Sequence, residues 1–313
     1  MDARGKAEWA QAYLEQLRTQ RKLSPHTVDA YRRDLAELAA LSGETAWQAL
    51  AQADLRRYAA RLHGQQLAPR SIARKLSSWR GFFDWLAGHT TLAANPAQGV
   101  RAPKRAKSLP KALSVDDAVR LVSTPARAHA PGAGAALEPA ELCNRAMFEL
   151  LYSSGLRVSE LAGLDLHYNK DALGWLEQGN ADVTVLGKGG KRRTVPVGRA
   201  AMAAIAAWLQ VRPAPADGSA ALFTGARGSR VSARTVQLRL KAHGVATGAP
   251  SGVHPHMLRH SFASHVLQSS GDLRAVQDML GHATIASTQV YTALDFQRLA
   301  QVYDQAHPRA KAK

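Results

Sequence analysis

The chain is poor in the residues that open several common chemistries. Cys143 is its only cysteine, so no internal disulfide can form, and a reducing cytoplasm fits. Cys143 also lies in an apolar helical pattern, LCNRAMFELLY, with no cationic cluster around it that would mark an activated thiol, so it reads as a core residue. No apolar run is long enough to span a bilayer. The N-terminus, MDARGKAEWAQAYLEQL, has acids where a secretory signal would have an apolar stretch, and does not read as a signal peptide. Acidic residues are also scarce: 24 Asp and Glu face 41 Lys and Arg, a formal net charge of +17. That excess attracts polyanions, nucleic acid before an anionic membrane surface.

The first hundred residues carry helical periodicity. Trp9, Tyr13 and Leu17 share a face, and Ser24 and Pro25 can cap and start a second helix faced by Val28, Tyr31, Leu35 and Leu38. A third helical stretch covers about Gln52 to Leu62, and Pro69 opens a fourth with Ile72, Leu76, Trp79, Phe83 and Leu86 on one stripe. Four such helices joined by short turns predict a compact bundle. Residues 1–107 hold 18 basic and 9 acidic side chains, a net of +9. Most surface cations are only a solvated face. Arg70, Arg74 and Lys75, however, lie near a helix start, where backbone N–H groups also favour phosphate, so the module reads as a DNA clamp.

NPAQGVRAPKRAKSLPK (95–111) reads as an extended, basic linker. The expected division is 1–94 helical domain, 95–112 linker and 113–313 second domain. Ser114 caps a helix with Asp116 and Asp117 in its first turn. PARAHAPGAGAALEPAE reads as a surface loop. Met147, Leu150 and Leu151 face a helix broken at Ser153-Ser154-Gly155. Arg157 follows the break, where it could aim its fork into a cavity or equally form a surface salt bridge. DVTVLGKGGKRRTVPV (182–197) predicts a β-hairpin with Lys188, Lys191, Arg192 and Arg193 at its tip. GKGG is not a nucleotide-binding P-loop, because glycine follows the lysine and a strand follows the turn. Ala200 to Leu209 is a core helix. Ser232 caps a basic helix whose Arg234, Arg239 and Lys241 suit backbone phosphates.

The densest chemistry is HPHMLRHSFASHVLQSSGDLRAVQDMLGHATIASTQVY (254–291). His256 and Arg259 lie one helical turn apart, with Leu258, Phe262 and Val266 on the buried side. Leu273, Val276, Met279 and Leu280 face a further helix ended by Gly281, then His282, then Tyr291 nine residues on. His254, before Pro255, reads as a turn residue, and His260 and His265 as packing or hydrogen-bonding residues. His256 and His260 have the four-residue spacing of a zinc helix, but Met257 stands where its glutamate should be.

Arg157 in SGLRVSEL, Lys188 in GKGGKRR, His256 and Arg259 in HMLRHSFASH, His282 in LGHA and Tyr291 together resemble the tyrosine site-specific recombinases, the λ-integrase family. The resemblance covers nearly the whole chain. It is closest to the bacterial Xer subfamily, and LDFQRLAQVYDQAHPRAKAK is similar to its XerC branch. Tyr291-Thr292-Ala293 departs from the frequent Tyr-Thr-His of that subfamily, outside the six matched positions.

The resemblance implies a mainly α, two-domain fold: an N-terminal SAM-like four-helix core-binding bundle, and a C-terminal mixed α/β catalytic domain with a small antiparallel sheet. It implies Arg157, Lys188, His256, Arg259 and His282 as catalytic residues, Tyr291 as nucleophile, and no cofactor or metal. Arg70, Arg74, Lys75, Lys191, Arg192, Arg234 and Arg239 are the expected DNA contacts. The implied setting is cytoplasmic and nucleoid-associated, without membrane insertion. The implied partners are a dif-like double-stranded DNA site, an XerD-like partner in a heterotetramer and an FtsK-like translocase, in the resolution of chromosome dimers. A tail helix, 295–306, with Phe296, Leu299, Val302 and Tyr303 on its apolar face, would dock on a neighbouring protomer; its other reading is a cap on its own domain. Alternatives are a phage- or integron-type integrase or a type I topoisomerase with related chemistry, a metallo-nuclease, and a non-catalytic architectural DNA-binding protein.

Overall fold

The computed structural model describes residues 5–104, 112–125, 137–187, 190–249, 252–281 and 301–310. The chain divides into two compact units, Met1–Ser108 and Leu109–Lys313.

The first unit is built from α1 (Lys6–Thr19), α2 (Pro25–Ser42), α3 (Gln52–Gly64) and α4 (Pro69–Ala87). The predicted stripes are its core: Trp9, Tyr13, Leu17, Leu35, Leu38, Ile72, Leu76, Trp79, Phe83 and Leu86 are all buried. Ser24 caps α2 by accepting from the Thr27 N–H, with Pro25 in the first turn. Trp47 enters this core from a short 3-10 turn, Trp47–Ala49, and meets Phe82 edge-on at 5.2 Å. One acid is wholly inside. Asp34 of α2 pairs with Arg74 and, at 3.2 Å, with Lys75, both on α4.

The second unit is layered around α6 (Pro139–Ser154), whose residues from Ala146 to Ser154 are all buried. Around it lie α5 (Val115–Ser123), α7 (Val158–Ala162), α8 (Arg199–Val211), α9 (Ala233–Ala246), α10 (Pro255–Ser270) and α11 (Leu273–Leu280). Ser114 and Ser232 cap α5 and α9 as their sequence positions predict. His254 does more than turn the chain: its Nδ1 accepts from the Met257 N–H and caps α10.

The sheet differs from the expected antiparallel one. Its four strands, β1 (Leu164–Asp165), β2 (Gly174–Glu177), β3 (Asp182–Leu186) and β4 (Arg192–Pro196), lie in sequence order, and β1 pairs with β2 in parallel. The predicted hairpin is β3–β4, with Thr184 opposite Thr194. The parallel edge escapes sequence reading because β1 is only two residues long and has no period to detect.

Residues 301–306 are helical, and the segment 301–310 packs on the second unit. Tyr303, Ala306 and Ala310 are buried in the core around α6, and His307 stacks on Tyr303 with ring centroids 5.0 Å apart. Arg309 closes on the buried carboxylate of Glu149, with Nε donating to Oε2 at 2.9 Å. Glu149 inside α6 requires a counter-charge, and Arg309 supplies it. Phe296 and Leu299 lie outside the described residues.

Candidate active site

Two helix ends and two guanidiniums define the site. Gly155 ends α6 in the left-handed region at φ +57°, and a Cβ there would lie 2.4 Å from the Phe262 ring, so only glycine fits. The chain turns at once into α7, with Arg157 at its N-cap. Arg259, on α10, reaches across to the same corner. Its Nη1 donates to the Gly155 carbonyl and its Nη2 to the Leu280 carbonyl at the end of α11, both at 2.6 Å. Arg157 donates through Nη2 to the Gly281 carbonyl at 3.4 Å and through Nη1 to Glu160 at 2.8 Å.

The electrostatics follow from this crowding. Arg259 is 8 % exposed; burial, then the neighbouring charge of Arg157, pushes its pKa down to about 10. It remains a cation at neutral pH. Glu160 is nearly as buried, and burial works against its ionisation. Hydrogen bonds from Arg193 and Arg157 outweigh that and hold it below the usual carboxylate range. Among the described residues two of Arg259's five N–H donors are committed to carbonyls, and the others can take an anion.

His256 lies one turn before Arg259 on α10, at an exposed position. His260 is exposed. His265 is buried: Nε2–H donates to the Leu113 carbonyl, leaving Nδ1 to accept from the Tyr152 hydroxyl, both at 2.9 Å. It is a packing residue, as its position predicts. Among the described residues no group of three or more His, Cys, Asp or Glu side chains converges to hold a metal ion. Lys188, His282 and Tyr291 lie outside the described residues.

The expected DNA contacts fall into two sets. Arg70, Lys191 and Arg234 are exposed, and Arg74 keeps 44 % of its side chain exposed beside Asp34. Arg192 lies over the Trp175 ring at 5.1 Å. Lys75 is a correction. It is buried, with its ammonium 3.2 Å from Asp34 and 2.5 Å from Glu37, which commits it to the α2–α4 contact. Arg239 is drawn toward α6, its Nη1 3.4 Å from Asn144 Oδ1 and 3.8 Å from Cys143 Sγ. Thiol burial pushes Cys143 up to about 11, so it is no nucleophile.

Sequence reading missed two residues of this corner. Glu160 carried a usable signal, three positions after an N-cap. Arg193 carried another: alternation along β4 puts it on the face of Val195, away from Arg192.

Residues 111–298 match the model of the phage integrase family, and residues 10–89 match that of the phage integrase N-terminal SAM-like domain. The chain belongs to the phage integrase family. It is a tyrosine recombinase, an enzyme that cuts and rejoins DNA. It is 53% identical to tyrosine recombinase XerC 1 of Ralstonia nicotianae, over 96% of this chain and 94% of that protein. To tyrosine recombinase XerC of Pseudomonas aeruginosa it is 48% identical, over 96% and 95%. Its fold is also that of a λ integrase dimer bound to a core site, with TM-score 0.67 and 15% identity over 91% of this chain and 99% of the other. The Tn1549 transposon integrase, in complex with transposon right-end DNA, gives TM-score 0.67 and 18% identity over 94% and 98%. An enzyme that cuts and rejoins DNA binds it, in keeping with the excess positive charge of this chain. Among the described residues no helix is long and apolar enough to cross a membrane.

Proposed function

We propose that this recombinase exchanges strands at a dif-like chromosomal site, paired with an XerD-like recombinase and activated by an FtsK-like translocase, so as to resolve chromosome dimers on the nucleoid. The relatives at about half identity over nearly the whole chain support this role. The observation that carries the chemistry is the meeting of Arg157 and Arg259 between the ends of α6 and α11.

A phosphodiester attacked in line spreads charge onto its non-bridging oxygens, and two guanidinium forks match those oxygens. His282 is a further donor to them. Tyr291 Oη attacks phosphorus, and the bond from phosphorus to the 5′ oxygen breaks. A free phenol is only about one part in a thousand ionised at neutral pH, so it needs a base. His256, exposed on the turn before Arg259, takes the phenol proton. Lys188, between β3 and β4 in sequence, gives a proton to the departing 5′ oxygen. The 3′-phosphotyrosyl link keeps the energy of the broken ester, so rejoining requires no ATP. Arg70, Arg74, Lys191, Arg192 and Arg234 hold the phosphate backbone on either side.

The test is a nicked suicide substrate carrying a dif-like site, with and without an XerD-like partner. Wild-type protein forms an SDS-resistant adduct and the Tyr291→Phe variant forms none. An adduct from the Phe variant overturns the nucleophile assignment. Efficient recombination without any partner, on a site unrelated to dif, favours an integrase role instead.

A further inference from the structure

Resting on that reading of the site, the geometry points to Arg193 as a positioning residue for it, one that locks β4, α7 and the end of α11 into one register. Along β4, Arg192 and Thr194 point out while Arg193 and Val195 point in. Arg193 is only 6 % exposed on the face that carries Val195. A guanidinium in such a place is costly unless its charge and donors are matched. They are matched by groups from two other elements. Nη1 and Nη2 form a fork on the two oxygens of Glu160 at 2.7 and 2.8 Å, and Nε donates to the Met279 carbonyl at 2.8 Å.

Each partner leads directly to a residue assigned a role in cleavage. Glu160, while held by Arg193, also accepts from Arg157 Nη1 and from the Arg157 backbone N–H at 2.7 Å. Met279 precedes Leu280, whose carbonyl receives Arg259 at 2.6 Å. Gly281 lies against the Arg193 side chain so closely that a Cβ there would be 3.0 Å from Cδ, and His282 is the next residue. Lys188 is five residues before Arg193 in sequence. One side chain thus ties the arginine corner to the strand that follows the expected general acid. Lysine cannot replace it, because a single ammonium lacks the fixed fork that meets Glu160 and Met279 together.

The experiment compares cleavage of a phosphodiester suicide substrate with that of a neutral methylphosphonate at the same position. A neutral linkage places less demand on paired guanidiniums, so a defect transmitted through Arg157 shrinks on it. A merely structural defect is the same on both. For Arg193→Lys, we expect site binding within about threefold of wild type and adduct formation on the phosphodiester lowered by about 100-fold, the scale of a misplaced catalytic group. On the methylphosphonate the loss falls below about tenfold. The paired variant Glu160→Gln with Arg193→Gln removes both buried charges and gives the same comparison if the lysine variant does not fold.

An equal loss on both linkages, or wild-type cleavage by a folded Arg193 variant, overturns the proposal. Arg157→Ala separates this from the underlying reading. If that variant cleaves the phosphodiester normally, the site assignment itself fails. If it is relieved by the methylphosphonate while Arg193→Lys is not, only the role of Arg193 fails.

Discussion

Arg259 binds the last carbonyl of one helix turn and the last of another: Nη1 holds Gly155 at the end of α6 and Nη2 holds Leu280 at the end of α11. The two acceptors are 125 residues apart in sequence, so the side chain is both a candidate phosphate ligand and a clasp between distant segments. Arg259→Lys keeps the charge and loses the clasp. Single-turnover adduct formation is expected to fall at least about 100-fold, as for loss of one preorganised donor, while gel-shift affinity for the site changes little.

Gly155 and Gly271 are both in the left-handed region, at φ +57° and +66°. Alanine at Gly271 meets nothing within 4 Å and costs about 1–2 kcal/mol of backbone strain. Alanine at Gly155 adds a collision with the Phe262 ring, a further ~1–3 kcal/mol. Urea unfolding of the two variants measures the difference. Equal losses would show that α6 and α10 can separate freely at the corner where Arg259 passes.

His307 is buried against Tyr152, Phe262 and Tyr303, and burial first, then the charges of His265 and Arg309, push its pKa from 6.5 to about 3. The folded state therefore binds fewer protons here than the unfolded chain between these values. Its contribution is full above pH 6.5 and is lost as pH falls toward 3. For this one residue the loss from pH 7 to pH 5 is about 2 kcal/mol. Denaturant midpoints at the two pH values check it, with His307→Phe expected to reduce the difference by about that amount.

Arg309 faces a carboxylate with no solvent exposure. Arg309→Met strands Glu149 and is expected to lower stability by about 3–5 kcal/mol, with Glu149→Gln added to the same chain restoring part of it. If Arg309→Met unfolds at the wild-type urea concentration, the tail is not held in cis by this pair.

Arg74 and Lys75 are adjacent, and they are expected to act differently. Arg70→Gln and Arg74→Gln each reduce the slope of log affinity against log salt by about 0.9, one phosphate contact apiece. Lys75→Gln leaves that slope unchanged and lowers the unfolding midpoint, because its ammonium serves Asp34 and Glu37. Titrating fluorescent site DNA at several salt concentrations separates the two.

The helical stripes were legible because their apolar residues repeat with the helix: Trp9, Tyr13 and Leu17 needed only spacing to be assigned inward. Caps at Ser24, Ser114 and Ser232 were legible because hydroxyls before helices have a local role. Lys75 was misread because nothing in the text of α4 announces Asp34 and Glu37, 41 and 38 residues earlier. The Glu149–Arg309 pair was illegible for the same reason: the two are 160 residues apart, and their pairing exists only in the folded domain. Arg193 was legible in principle. Alternation alone turned it inward, but a basic cluster on a predicted turn drew attention to charge instead of to face.

The ends of α6 and α11 have an electrical consequence. Each helix gathers roughly half a negative elementary charge at its C-terminus, so the two ends together bring about one unit toward the guanidiniums they hold. Arg157, Arg193 and Arg259 contribute three positive charges and Glu160 one negative. These residues therefore leave the corner with about one unit of unbalanced positive charge. That equals and opposes the single charge of a DNA phosphodiester. The helix macrodipoles let these cations stand side by side, and on the proposed reading of the site a scissile phosphate would complete the neutralisation they begin.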